Sequence, residues 1–153
     1  MIRGIGILTV FLLAGKQPAS PDVLKITIPE IVVVAGESSV IKMEVEIKKG
    51  YHIQANKVND DLLIPTTLEI AKDEGITTGR QEFPPAKKFK LEGSDNLLDV
   101  YDGNFEIRIP FKTTKKISKG QHILDAKLHY QACDHRTCLF PKTIGFSITV
   151  KVA

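Results

Sequence analysis

Strict two-residue alternation of apolar and polar side chains governs four separate runs of this chain. Ile41, Met43, Val45 and Ile47 alternate with Lys42, Glu44, Glu46 and Lys48, and Phe105, Ile107, Ile109 and Phe111 alternate with Glu106, Arg108, Pro110 and Lys112. Further on, Leu124, Ala126, Leu128 and Tyr130 alternate with Asp125, Lys127 and His129, and Ile144, Phe146, Ile148, Val150 and Val152 alternate with Gly145, Ser147, Thr149 and Lys151. A period of two sends successive side chains to opposite faces of a strand, so each run predicts a strand with one buried and one wet face. No segment has the period of a long amphipathic helix, and no internal repeat is visible. Shorter apolar runs at Leu24 to Ile28, Ile31 to Val34, Tyr51 to Ile53 and Thr66 to Ala71 lie between clusters of Gly, Pro and Asn. Many short strands with turn signals between them predict an all-β, two-sheet sandwich of about seven to nine strands. Pro110 predicts an edge or a bulge within its strand, because proline cannot donate to the ladder.

At 153 residues the chain is long enough for one domain with a core that needs no disulfide. Its formal charge of +3 arises from 21 basic and 18 acidic residues interspersed along the strands, which describes a solvated surface rather than a nucleic-acid face. Beyond the N-terminus no apolar run approaches the roughly 20 residues of a membrane-spanning helix. The N-terminus is different: Met1-Ile2-Arg3 is a positive start, Ile5 to Ala14 is almost wholly apolar, and Pro18 and Pro21 bracket a linker. That layout is a secretory signal without a clean small-residue cleavage site. Residues 1–22 are therefore expected to be a signal peptide or an uncleaved N-terminal anchor plus linker, with the folded domain at 23–153. Export would place the chain where disulfides persist.

Both cysteines, Cys133 and Cys138, lie in one stretch, Gln131 to Pro141, between the last two alternating runs. Four residues separate them, so a short reversal of the chain can bring them to bonding distance. A loop this short returns little chain entropy when closed, which lowers its value as a staple. Arg136 and His135 lie between the sulfurs and favour thiolate character; Asp134 opposes it. Spacing alone leaves redox chemistry and a structural hairpin staple level. A zinc site from His129, Cys133, His135 and Cys138 is a weaker reading, because His129 falls in the solvent-facing phase of its strand and the ligands are consecutive. Neither a metal nor a cofactor is expected. His52 and His122 read as surface or strand residues. No Gly-x-Ser-x-Gly elbow, phosphate-binding glycine loop or His-Glu-x-x-His motif appears.

The segment Leu128-His129-Tyr130-Gln131-Ala132-Cys133, with Cys138-Leu139-Phe140-Pro141-Lys142-Thr143, resembles the active-site hairpin of the N-terminal periplasmic domain of the thiol:disulfide interchange protein DsbD family. Lys49 to Asn56 resembles that family's Gly-Tyr-containing strand, and Val100 to Phe105 resembles the segment before its long central strand. The cysteine loop is one residue shorter here than in the family's best-known member. The resemblance implies an immunoglobulin-like β-sandwich carrying a redox hairpin. It implies thiol–disulfide exchange through Cys133 and Cys138, with Cys138 bonding to the partner and Cys133 resolving. Partners would be thioredoxin-fold proteins as electron donor or acceptor, met in the periplasm or cell envelope by a chain that is itself a monomer. The family's membrane and thioredoxin-like domains are not seen in this sequence, so the reductant is expected to be another protein. The resemblance also implies a cap: the segment Glu92 to Leu98 would fold over the cysteines, with Leu97, Leu98, Tyr130, His135 and Arg136 as neighbours. The family's aromatic cap residue is not found in that segment. The competing expectation is a non-catalytic immunoglobulin-like binding module whose hairpin is merely stapled, with Leu97 and Leu98 anchoring a loop to the core.

Overall fold

The computed structural model describes residues 22–153. The expected signal or anchor at 1–22 lies outside those residues except for Asp22, whose carboxylate pairs with Lys142 at 2.6 Å. Among the described residues there are twelve strands and no helix: β1 Leu24–Thr27, β2 Ile31–Val33, β3 Ser38–Ile47, β4 His52–Gln54, β5 Thr67–Ile70, β6 Ile76–Thr78, β7 Lys87–Lys90, β8 Leu97–Tyr101, β9 Asn104–Thr113, β10 Gly120–Tyr130, β11 Ala132–Cys133 and β12 Lys142–Val152. The architecture is an immunoglobulin-like β-sandwich.

The four alternating runs become the four long strands, and they form the middle of two sheets ordered β1-β3-β9-β6 and β2-β12-β10-β5. β3 and β9 pair antiparallel from Ser38 opposite Lys112 to Glu46 opposite Asn104. β10 and β12 pair antiparallel along their whole length, from Gly120 opposite Val152 to Tyr130 opposite Lys142. The short β2 joins β12 in parallel. Both sheets turn their apolar phase inward: Ile41, Met43, Ile107, Ile109, Leu128, Ile148 and Val150 are fully buried in one continuous cluster. Each such side chain contributes roughly 1.5–3 kcal/mol by leaving water.

One expectation is corrected. The strand count exceeds seven to nine because a third sheet, ordered β11-β4-β8-β7, adds four short strands to the sandwich. Three of its strands are continuations of the long ones. β4 follows β3 after the Lys49-Gly50 turn, β8 runs into β9 through Asp102-Gly103, and β11 leaves β10 at Gln131. Gly103 stands at φ 62°, a left-handed conformation that lets the chain pass between sheets at low steric cost. The expectation for Pro110 holds in its second form: β9 is paired on both sides, and on the β6 side the ladder is interrupted at the proline, where residues 79–81 lie opposite Ile109 and Pro110. β6 ends at Thr78, next to which Gly79 N donates to the Pro110 carbonyl at 2.7 Å, so the missing N–H faces the break between β6 and the Glu82–Arg108 bridge.

Candidate functional site

The third sheet exists because Gln131 turns the chain out of one ladder and into another. Its carbonyl accepts from Gln54 N at 3.0 Å. Its side chain accepts from Ile64 N at 3.0 Å and donates to the Leu139 carbonyl at 3.3 Å. Directly after it, β11 pairs with β4 so that Ala132 lies opposite Ile53 and Cys133 opposite His52. On the other side of β4, Ile53 pairs with Tyr101 and Gln54 with Val100 of β8.

Strand alternation then sorts the sheet into two faces. Ala132, Ile53, Ala55 and Tyr101 join the main core. Cys133, His52, Gln54, Val100 and Leu98 occupy the opposite face; all are buried, yet Cys133, Val100 and Leu98 are no part of the main apolar cluster. The cysteines thus belong to a small second core. Phe89 of β7, the cross-strand partner of Leu98, covers it: its ring lies 3.9 Å from that of His52, centroid to centroid.

Cys133 and Cys138 form a disulfide with their Cα atoms 3.9 Å apart. Cys133 is completely buried, whereas Cys138 is half-buried at the end of the loop. The loop between them is shaped by Asp134. Its carboxylate accepts from the backbone N–H groups of Arg136 at 2.7 Å and Thr137 at 2.8 Å, which hold its pKa below the ordinary 3.8. Asp134 N donates to the Thr137 carbonyl at 2.9 Å, and Leu139 N to the Ala132 carbonyl at 2.7 Å, closing the reversal around the disulfide.

The Gln54 amide is the polar group aimed at the sulfurs. Nε2 donates to Cys133 Sγ at 3.2 Å and reaches Cys138 Sγ at 3.8 Å. The strand that carries it is held on both sides: Gln54 N is bound by Gln131, and the Gln54 carbonyl accepts from the Thr66 hydroxyl at 2.5 Å. Gln54 Oε1 and His52 Nε2 are buried without a partner among the described residues. Burial pushes the His52 imidazole below its ordinary 6.5, against the pull of Asp102 and Asp134.

The residues named from sequence fall into different places. Leu98 lines the cysteine face, but Leu97 points the other way and is half-exposed, its carbonyl accepting from Asn59 Nδ2 at 2.9 Å. Glu92 to Leu98 is no single loop over the cysteines. Leu97 begins β8, and it is the preceding turn that touches the cysteine loop, through Glu92 N donating to the His135 carbonyl at 2.9 Å and through an Arg136–Glu92 ion pair at 3.3 Å. His135 and Arg136 are both exposed. Tyr130 packs into the main core, where burial raises its pKa above 10.0. His129 Nδ1 lies 2.7 Å from the Thr143 hydroxyl, and both cysteine sulfurs are committed to each other, so the four zinc candidates are not assembled; among the described residues no cluster of three or more His, Cys, Asp or Glu side chains could hold a metal ion. Gln54, His52 and Phe89 were not singled out by sequence as site residues. The sequence cue for them was the resemblance of Lys49 to Asn56 to a Gly-Tyr-containing strand.

Comparison with known proteins places this geometry. The chain aligns with the reduced N-terminal domain of DsbD from Neisseria meningitidis at 17% identity and TM-score 0.46, covering 81% of this chain and 85% of that one. The N-terminal periplasmic domain of ScsB from Proteus mirabilis aligns at 14% identity and TM-score 0.58, covering 86% of this chain and 47% of that one, so this chain spans about half its length. A type I cohesin from Pseudobacteroides cellulosolvens aligns at 11% identity and TM-score 0.51, covering 85% and 92%, which shows how widely the sandwich itself is shared. No curated protein sequence matches. Residues 25–149, which include most of both sandwich sheets and the whole cysteine loop, match the family model of the thiol:disulfide interchange protein DsbD, N-terminal, and the chain belongs to that family.

Proposed function

We propose that this chain is an exported thiol–disulfide exchange domain that passes reducing equivalents through Cys133 and Cys138 to oxidised thioredoxin-fold proteins. The observation that carries the reading is the asymmetry of the closed pair: one sulfur fully buried beside an amide donor, the other half-buried at the loop's end. In the reduced state the Cys138 thiolate attacks a partner disulfide, giving a mixed disulfide and releasing one partner sulfur as a thiolate. Cys133 then attacks Cys138 Sγ and the second partner sulfur leaves. Two electrons pass from the dithiol to the partner. Phe140, 86% exposed two residues after Cys138, offers an apolar contact beside the accessible sulfur.

An exported address is supported by the N-terminal signal pattern and by the ScsB relative's description as periplasmic. Among the described residues no helix is long and apolar enough to cross a membrane. The membrane contact proposed is attachment through the apolar N-terminal segment, on its sequence pattern. The reduction potential, measured by equilibration with glutathione, tests the reading. An exchanging pair sits above about −300 mV; a value well below it would identify a structural staple on a binding module and overturn the proposal.

A further inference from the structure

Cys133 carries a demand that its position does not meet by itself. Whether the domain gives electrons or receives them, the step inside the domain makes or breaks the Cys133–Cys138 bond. When Cys133 resolves a mixed disulfide, its thiolate attacks Cys138 Sγ, the new S–S bond forms, and the partner's sulfur leaves with the electron pair. When an external thiolate attacks Cys138 Sγ, the Cys133–Cys138 bond breaks and Cys133 leaves with the pair. In both directions Cys133 bears the negative charge, and it does so completely buried, where water cannot solvate it. Burial in apolar surroundings raises a thiol pKa and suppresses the thiolate.

The charged groups around it do not offset this. Across the ladder stands His52, kept neutral by burial. Asp102 beyond β8 is paired with the exposed Lys87, and the Asp134 carboxylate in the loop is taken up by the N–H groups of Arg136 and Thr137. Arg136 is exposed and paired with Glu92. Gln54, on the same face of β4 as His52, directs its Nε2–H at Cys133 Sγ from 3.2 Å. An amide kept only for folding would have both ends bonded. Here Oε1 is buried without a partner, and the contact made by the other end is to sulfur.

We infer that Gln54 is a catalytic residue of the exchange reaction: its carboxamide N–H stabilises the Cys133 thiolate, both as the attacking sulfur that resolves a mixed disulfide and as the leaving sulfur when the domain is reduced. A hydrogen bond donated to the charged form favours that form, and in a site closed to water it is stronger than in solution. The 3.8 Å contact to Cys138 Sγ keeps the same donor beside the second sulfur as the bond between them rearranges. This inference rests on the reading of Cys133 and Cys138 as an exchanging pair.

The test replaces Gln54 by Met, which keeps an unbranched side chain of similar length but donates nothing, and separately by Glu, which places an acceptor at the sulfur. In a Cys138→Ser background the single Cys133 is titrated by thiolate absorbance. Gln54→Met is expected to raise its pKa by about one unit, a tenfold loss of thiolate at a given pH below it, and Gln54→Glu by more. In the two-cysteine protein, closure of the mixed disulfide formed with glutathione is expected to slow about tenfold in Gln54→Met at neutral pH. Thermal unfolding establishes that each variant is folded, and Gln54→Glu provides the second measurement if Gln54→Met is not. An unchanged Cys133 pKa, or unchanged closure, overturns the role of Gln54. Because glutathione replaces the protein partner, that failure is distinct from failure of the proposed function, which is read by trapping a thioredoxin-fold protein.

Discussion

The ring of Phe89 lies against the imidazole of His52 with centroids 3.9 Å apart, and this contact roofs the buried face on which Cys133 stands opposite His52. Burial there favours the neutral form of the histidine. Its pKa lies below the ordinary 6.5 chiefly because burial disfavours the charged form. In the unfolded chain it takes a proton as pH falls through about 6.5, whereas the folded chain resists. The stability it contributes is therefore present above about 6.5 and is lost as pH falls from there through the folded value. Urea unfolding at about pH 7.5 and pH 5.5 is expected to show a lower midpoint at the acid end, with the loss reduced in His52→Phe. An equal loss in both proteins would place the acid sensitivity elsewhere.

Cys133→Ala leaves the accessible sulfur and removes the resolving one, so it is expected to accumulate a stable mixed disulfide with an oxidised thioredoxin-fold protein. Cys138→Ala leaves a fully buried sulfur and is expected to trap much less. Non-reducing electrophoresis compares the two. Equal trapping would remove the assignment of the sulfurs, and trapping by neither would count against redox exchange altogether.

The β7–β8 turn reaches the cysteine loop through the backbone bond from Glu92 N to the His135 carbonyl. Glu92→Pro removes that donor and is expected to speed alkylation of the reduced protein by iodoacetamide several-fold. Arg136→Ala, which removes only an exposed ion pair, is expected to change stability by no more than about 1 kcal/mol. An unchanged alkylation rate in Glu92→Pro would show that the turn does not shield the sulfurs.

Phe140 is 86% exposed, so Phe140→Ser is expected to alter stability by less than about 0.5 kcal/mol. It should nevertheless weaken mixed-disulfide formation with a protein partner while leaving reaction with glutathione unchanged. Parallel loss in both assays would mean that the side chain shapes the loop rather than the contact.

Leu128 is fully buried between its β5 and β12 neighbours, Leu68 and Ile144. Leu128→Ala is expected to cost about 2–5 kcal/mol, read as a lower urea midpoint. A loss below about 1 kcal/mol would contradict the packing described for this end of the sandwich.

The long strands β3, β9, β10 and β12 were legible in the chain because period-two alternation is a local signal that survives without knowledge of any partner. β7 and β8 were not. Lys87-Lys88-Phe89-Lys90 has one apolar residue, and Leu97-Leu98 breaks the alternation, so neither stretch announces a strand. They are strands because each satisfies the other's backbone and β4 completes the ladder. The same limit applied to Leu97, which composition could not tell from its neighbour: only the facing of β8 decides that Leu98 turns toward the cysteines and Leu97 away.

The sequence by itself determined the all-β class, the four strands that carry the core, and the closeness of Cys133 to Cys138, since each depends on residues within about ten positions of one another. Only the tertiary structure decided which groups surround the sulfurs. Gln54 is 79 residues from Cys133 along the chain, and the bond between them exists because Gln131 diverts the strand into a third sheet beside β4. No local pattern encodes that approach. It follows from satisfying backbone hydrogen bonds across three strands brought together from distant parts of the chain.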